Sequence, residues 1–471
     1  MKKAIFSLLI FILILLPGVV YANEKVSLIL HPDVLLGVVD ENIYQGATYE
    51  GGGYFQALTS DKKDVRVEWK EKKGEWRLRV KAVEVDVPVG GSESDVLSDF
   101  YWRKGEKEPW VKFTSLNSSQ EVARSNKKKE TYRIEYKYQP DVNDIPGNYR
   151  INLSYNVELY SESDGTWQPV TSDTVSISWQ VKTWGIVKVK KTVNLGTIDA
   201  SIYKNATPEG GGEFGYLESS KNEVFVICND PDGWILKLLV VDVNYPPRFS
   251  SDLLEDFSWK VNGGSYQSGT NLDETAATVD VETRQGSKVY EIGYRYFADL
   301  NDIEGEYGIK LKYRLISANH QVKKRDTCQL LWSAQKWILL CGDKNIDLGV
   351  LDKSKVSIDS EGHLHFEPLR SLKNPLFVMS NSLEGWVIKL KVSSYSTPPN
   401  FEGDLLKDFK WRIRKGKYQS ASGLDKKEKK IKEEKEGPLR KVYYIDYRYK
   451  PDIDDIQGEY KITLQYSVYP R

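Results

Sequence analysis

Apolar and polar residues alternate with a period of two through much of this chain. In the clearest run, Trp386, Ile388, Leu390 and Val392 fall on one face and Lys389 and Lys391 on the other. That is the pattern of a half-buried strand. The run opens as Gly385-Trp386-Val387-Ile388-Lys389-Leu390. It recurs as Gly233-Trp234-Ile235-Leu236-Lys237-Leu238 and, more loosely, as Gly74-Glu75-Trp76-Arg77-Leu78-Arg79-Val80. The tryptophans stand 158 (76 to 234) and 152 (234 to 386) residues apart, so one unit is written three times.

The order of strands within the unit also repeats. Each unit starts with a short apolar strand, at Val26 to Leu30, Trp184 to Val189 and Trp337 to Cys341. A Leu-Gly pair follows, at Leu36-Gly37, Leu195-Gly196 and Leu348-Gly349. Next comes a glycine cluster, Gly51-Gly52-Gly53 and Gly210-Gly211-Gly212, reduced to Gly362 in the third unit. With no helix pattern behind it to bind an anion, the cluster predicts a bulge or a close backbone approach. A strand then leads through a tight turn into the tryptophan strand (Val65 to Trp69, Val224 to Cys228, Leu376 to Met379). The motif Asp-x-Leu-x-Asp-Phe-x-Trp follows, at Asp95 to Trp102, Asp252 to Trp259 and Asp404 to Trp411.

Polar stretches come next, at Ser115 to Lys129, Gln267 to Lys288 and Gln419 to Arg440. They read as solvated loops at one end of each unit, where partner contacts are expected. A tyrosine strand returns from each: Tyr132, Ile134, Tyr136, Tyr138; then Tyr290, Ile292, Tyr294, Tyr296; then Tyr443, Ile445, Tyr447, Tyr449. An Asp-rich turn and a closing strand end the unit. The first unit carries an extra hairpin around Ser161 to Trp167. Bridging strands with two tryptophans (Trp179 and Trp184, Trp332 and Trp337) join the units, and the third lacks one.

Regularly spaced strands without an amphipathic helix predict an all-β fold of three tandem immunoglobulin-like β-sandwich modules. The expected modules are 23–183, 184–335 and 336–471. Residues 1–22 read as a signal peptide: Lys2-Lys3, an apolar run from Ala4 to Leu16, Pro17-Gly18, then a small residue at Ala22. The run is short for a membrane span. The expectation is an exported protein, extracellular or at the cell surface, with no membrane span once the signal is removed.

Formal net charge is zero and both signs are abundant, which argues against a nucleic-acid partner. Plentiful Lys and Glu with scarce Met and Cys suit a heat-adapted source. The three cysteines are Cys228, Cys328 and Cys341. A hairpin centred on Ala334-Gln335 would set Cys328 opposite Cys341 as a disulfide. The alternative is a continuous connector with free thiols, since Ala-Gln is a poor hairpin turn.

Candidate chemistry is sparse. His363 and His365 share a strand face without a third metal ligand nearby in sequence. No nucleophile motif is present, and no paired carboxylates stand in an apolar setting, so the reading is non-enzymatic and without a cofactor. The repeated polar constellation lies in the closing turns: Asp141, Asn143, Asp144; Asp299, Asn301, Asp302; Asp452, Asp454, Asp455. These oxygens could supply part of a calcium shell. Alternatively, Asp144, Asp302 and Asp455 bond turn amides two residues on. Thirteen tryptophans and 29 tyrosines suggest core packing, with sugar stacking from aromatic loop residues as the alternative.

The run of apolar strand, turn, Gly-Trp-x-Leu-x-apolar and then Phe-x-Trp resembles the WxL surface domain of Gram-positive bacteria. Trp-x-Leu stands at Trp76-Arg77-Leu78, Trp234-Ile235-Leu236 and Trp337-Ile338-Leu339, with Ile388 replacing the leucine in the third unit. The closing Asp-x-x-Gly-x-Tyr strand is similar to bacterial immunoglobulin-like surface repeats. The resemblance implies a β-sandwich attached non-covalently to the cell wall, although that family usually has one such domain rather than three. The expected partners are a cell wall or surface polymer, or other surface proteins. The expected role is a structural or adhesive β-repeat rod; a carbohydrate-binding protein is the alternative.

Overall fold

A computed structural model describes residues 26–70 and 74–471. The signal peptide read at 1–22 lies outside the described residues. Of the described residues 56% are in strands and 5% in helices, an all-β protein. Its larger sheets form three pairs, one pair for each repeat of the sequence, and each pair encloses a core.

The first sheet of each pair holds the tyrosine strand at its centre: Lys129–Tyr138, Gly286–Phe297 and Leu439–Tyr449. The second holds the tryptophan strand: Trp76–Asp86, Trp234–Asn244 and Trp386–Ser396. Both turn alternate residues inward. Trp76, Leu78 and Val80 are buried, as are Trp234, Leu236 and Leu238, and Trp386, Ile388 and Leu390. The tight turn before the tryptophan strand is not a hairpin. It carries the chain across from one sheet to the other, because the strand before it pairs with the tyrosine strand instead. A hydroxyl pair ties the two sheets together inside each core: Tyr136 to Tyr155 at 2.9 Å, Tyr294 to Tyr313 at 2.7 Å and Tyr447 to Tyr466 at 2.6 Å.

The Asp-x-Leu-x-Asp-Phe-x-Trp motif begins as a short helix and ends as a strand. Ser92, Asp252 and Asp404 cap the helices Glu93–Asp99, Leu253–Asp256 and Leu405–Asp408. Each cap side chain accepts an otherwise unpaired amide.

The polar stretches are not simple loops. Gln120–Ser125, Ala277–Glu282 and Lys429–Glu434 are edge strands hydrogen-bonded to the tryptophan strand. An edge strand needs a partner on only one side, so it tolerates a charged composition that periodicity reads as loop. The extra hairpin of the first repeat is present, with Ser161 opposite Thr166.

In the first two repeats the second sheet ends in a parallel pair. Gly147–Ser161 pairs with Thr166–Val181, which pairs in turn, in parallel, with Val34–Val39. Gly305–Ser317, Lys323–Ala334 and Thr192–Ile198 repeat this order. The third repeat's second sheet contains three described strands and stops at Lys461–Pro470.

Candidate functional site: the junctions between repeats

The residues that single out the chain's interior meet where one repeat joins the next. Trp184 opens the second repeat, fully buried, against Tyr44 and Phe55 of the first. Its ring is 6.5 Å from Tyr44 and 5.8 Å from Phe55. Phe225 and Ile227 close the cluster from the second repeat, and Val142 from the first. The next junction repeats the set: Trp337, Phe377 and Met379 against Tyr203, Phe214 and Leu300.

A buried asparagine completes each junction. Asn229 Oδ1 accepts the Trp184 amide at 2.7 Å, and its Nδ2 donates to the carbonyls of Lys182 (3.0 Å) and Asp144 (3.2 Å). Asn381 does the same for Trp337 (2.9 Å), Gln335 (2.8 Å) and Asp302 (2.9 Å). Buried backbone groups must find partners, and here one side chain satisfies three groups drawn from the connector and both repeats. Sequence reading did not single out these asparagines. Their signal is positional: by register the first repeat carries Lys70 at the same place.

The glycine cluster has its reason here too. A Cβ on Gly51 would come within 2.9 Å of Val289 in the following repeat, and one on Gly210 within 3.1 Å of Val442. Both glycines have positive φ. In the third repeat a Cβ on Gly362 meets nothing within 4 Å among the described residues. The opposite end of the first repeat is charged. Arg66 and Glu68, paired with each other, hold the positions that Phe225 and Ile227 hold in the second.

The closing turns supply the junctions from below. Asp144 accepts Tyr138 Oη on one oxygen and the Asp141 amide, at 3.0 Å, on the other. Asp302 accepts Tyr296 Oη at 2.6 Å and the Asp299 amide at 2.8 Å; Asp455 accepts Tyr449 Oη and the Asp452 amide at 3.0 Å. It is Asp141, Asp299 and Asp452 that bond the amide two residues on, at Asn143 (2.7 Å), Asn301 (2.7 Å) and Asp454 (3.0 Å). The expected roles within the turn are therefore exchanged. Burial pushes the carboxyls of Asp144 and Asp302 up to about 7, although their tyrosine hydrogen bonds pull the other way. In the first repeat Asp95 joins Asp141 and Asp144, with oxygens of all three within 4.8 Å of one another. Asp95 belongs to the helix motif and was outside the expected ligand set.

The hairpin expected at Ala334-Gln335 is absent, and Cys328 and Cys341 are free thiols. Cys328 lies opposite Leu311 in the second repeat and Cys341 opposite Phe377 in the third. The connector runs on because Trp337 is drawn into the junction instead of folding back on Trp332. Burial pushes the Cys328 thiol up to about 12 and that of Cys228 to about 11. His363 and His365 both face Asp359 Oδ2, at 3.2 and 2.9 Å, on an exposed hairpin.

Outside the cores, several aromatic rings are covered by cations, while Tyr54, Tyr245 and Tyr395 stand exposed. Arg295 lies 3.9 Å from the Tyr216 ring and 3.8 Å from that of Tyr266. Arg103 covers Trp110 at 4.4 Å, and Arg412 and Arg448 cover Tyr418 at 4.4 and 4.3 Å. Cation–π pairing of this kind takes up ring faces on which a sugar would stack. No helix among the described residues is long and apolar enough to cross a membrane.

No protein-family model matches the chain, and no curated protein sequence matches it. Solved structures with some likeness include a tip adhesin of Pseudomonas aeruginosa. It is 12% identical, with 66% of this chain and 97% of that one covered, at a TM-score of 0.27. A chaperone–tip adhesion subunit complex from chaperone-usher pili of Acinetobacter baumannii is 9% identical, covering 60% and 99%, at 0.28. The adhesive subunit of a fimbria of enterotoxigenic Escherichia coli is 11% identical, covering 68% and 89%, at 0.25. Likenesses this low carry no weight for what the chain does.

Proposed function

We propose that the chain is an exported, non-enzymatic structural rod of the cell surface. Its three sandwich modules would have boundaries at 183/184 and 335/336. The observation that supports this reading is the junction, built twice around a tryptophan and an asparagine at equivalent places. Flexible linkers between domains are short of such contacts. Here Trp184 and Asn229, then Trp337 and Asn381, lock each connector into a buried seat. A repeated seat sets a repeated angle between neighbours, which is how tandem modules make an extended body. The arginine-covered rings weigh against sugar stacking as the main role.

Wall attachment, of the kind the WxL resemblance implies, is the partner interaction this reading favours. Pull-down of the purified chain on isolated cell wall, beside a soluble glycan array, tests it. Retention on the wall without glycan binding is the expected result. Glycan binding at free aromatic residues would favour the carbohydrate-binding alternative, and retention on neither would overturn wall association.

A further inference from the structure

One face of the middle repeat carries charge that its scaffold does not need. Lys310, Lys312 and Arg314 point outward from Gly305–Ser317, alternating with the buried Ile309, Leu311, Tyr313 and Leu315. By register the first repeat has Asn152, Ser154 and Asn156 at these places, and the third has Thr463, Gln465 and Ser467. The inward tyrosine beside them, Tyr155, Tyr313 or Tyr466, keeps its place in every repeat. Neutral residues thus fill the same strand positions in the same fold.

Neighbouring strands add to the charge. Lys237 lies directly opposite Arg314, and Arg314 directly opposite Arg325. Lys323 stands two residues before Arg325 on the same strand. Like charges directly opposite one another destabilise a sheet. Among the described residues none of these six cations has a carboxylate within 4.0 Å, whereas nearby Lys191 and Lys324 pair with Asp326 and Glu41. Asp242 sits opposite Lys310 but beyond that reach. A shallow groove opens between Lys310, Lys312 and Arg325, lined also by Val241 and Thr327. No aromatic side chain stands among the outward residues of the three strands.

We infer that this face binds a linear phosphate-bearing polymer, free of bases, laid over the cations. They form a grid with steps of about 7 Å along a strand and about 5 Å between strands. A compact anion meets one or two of them; a linear polymer meets the whole row. Its charge offsets the cross-strand repulsion that the fold leaves standing. Lysine meets phosphate as a point charge and arginine with a planar fork. Single-stranded nucleic acid also stacks its bases on exposed rings, and this face offers none. The inference deepens the surface-rod reading and rests on it for where such a polymer is met.

The probe is inorganic polyphosphate of defined length, titrated by calorimetry against the full chain without residues 1–22. Saturable binding is expected, weakening as salt rises. The test variant carries Lys310→Thr, Lys312→Gln and Arg314→Ser together, the residues found at these positions in the third repeat. It should melt at or above the parent's temperature, since the repulsion is gone. It should bind about tenfold or more weakly, with a shallower salt dependence. A control with Lys188→Gln, Lys204→Gln and Lys221→Gln removes the same charge from exposed positions elsewhere in the repeat, and should bind as the parent does. The inference is overturned by absent binding, by undiminished binding or a lower melt of the test variant, by equal loss in the control, or by equally tight binding of poly-glutamate or single-stranded DNA. Its failure is distinct from that of the surface-rod reading. Wall retention without polyphosphate binding overturns the inference alone, and polyphosphate binding at this face without wall retention overturns wall association alone.

Discussion

Tyr307 lies flat against Trp332, ring centroids 5.8 Å apart and planes 9° from parallel. Tyr149 and Trp179 keep the same arrangement at 5.5 Å and 10°. The tyrosine belongs to the closing strand and the tryptophan to the strand that leads into the next repeat. The contact therefore fixes the end of one core to the start of the following junction, and Asn229 and Asn381 finish the fixing with hydrogen bonds.

Trp234→Ala should destabilise the middle repeat by about 3–5 kcal/mol, the usual range for removing a buried tryptophan. Its ring is buried at the start of the strand that pairs with both Ala277–Glu282 and Gly305–Ser317. Calorimetry should show one transition falling while the others move little. An unchanged middle transition would contradict the core assignment.

Asn229→Ala should uncouple the first junction. It leaves the Trp184 amide and the carbonyls of Lys182 and Asp144 without their partner, and each buried orphan costs about 1–3 kcal/mol. The expected signs are faster exchange of the Trp184 amide and a more flexible body by small-angle scattering, with both cores intact. Scattering identical to the parent would show that the aromatic seat suffices alone.

Asp302 makes the middle repeat sensitive to pH. An unfolded aspartate titrates near about 3.9, while burial in the fold raises this carboxyl to about 7. Between those values the folded state holds more protons. The stability contributed is thus full below about pH 4 and lost as pH rises through about 7. Asp302→Asn copies the protonated acid, accepting from the Asp299 amide and donating to Tyr296 Oη. Its melting temperature should vary less between pH 4 and 7, and a slope equal to the parent's would assign the effect to another group, such as Asp256.

Melts with added calcium and with chelator should superimpose. The turn carboxylates are taken up by amides and tyrosine hydroxyls, with both oxygens of Asp144 and of Asp302 accepting protein hydrogen bonds. A melting temperature that climbs with calcium would mean that the ion binds the folded state, and would revive the calcium reading of these nine residues.

The tryptophan and tyrosine strands were legible in the sequence because their inward faces alternate strictly, as at Trp386 to Val392. Lys429–Glu434 was not, since a charged edge strand is held by backbone hydrogen bonds that leave no period in side chains. The glycine clusters announced a close approach but not its partner, which lies in the next repeat. Asn229 was silent because a junction asparagine looks like any turn residue until its three partners are placed. The cysteine pairing failed for a related reason: symmetry about Ala334-Gln335 ignored the pull of the Trp337 seat.

The parallel pairing of Thr192–Ile198 with Lys323–Ala334 has a mechanical consequence. Tension on the chain draws the earlier strand toward its start and the later one toward its end. Parallel neighbours pulled this way slide past each other, so their hydrogen bonds strain together instead of peeling singly. Val34–Val39 and Thr166–Val181 form the same grip in the first repeat.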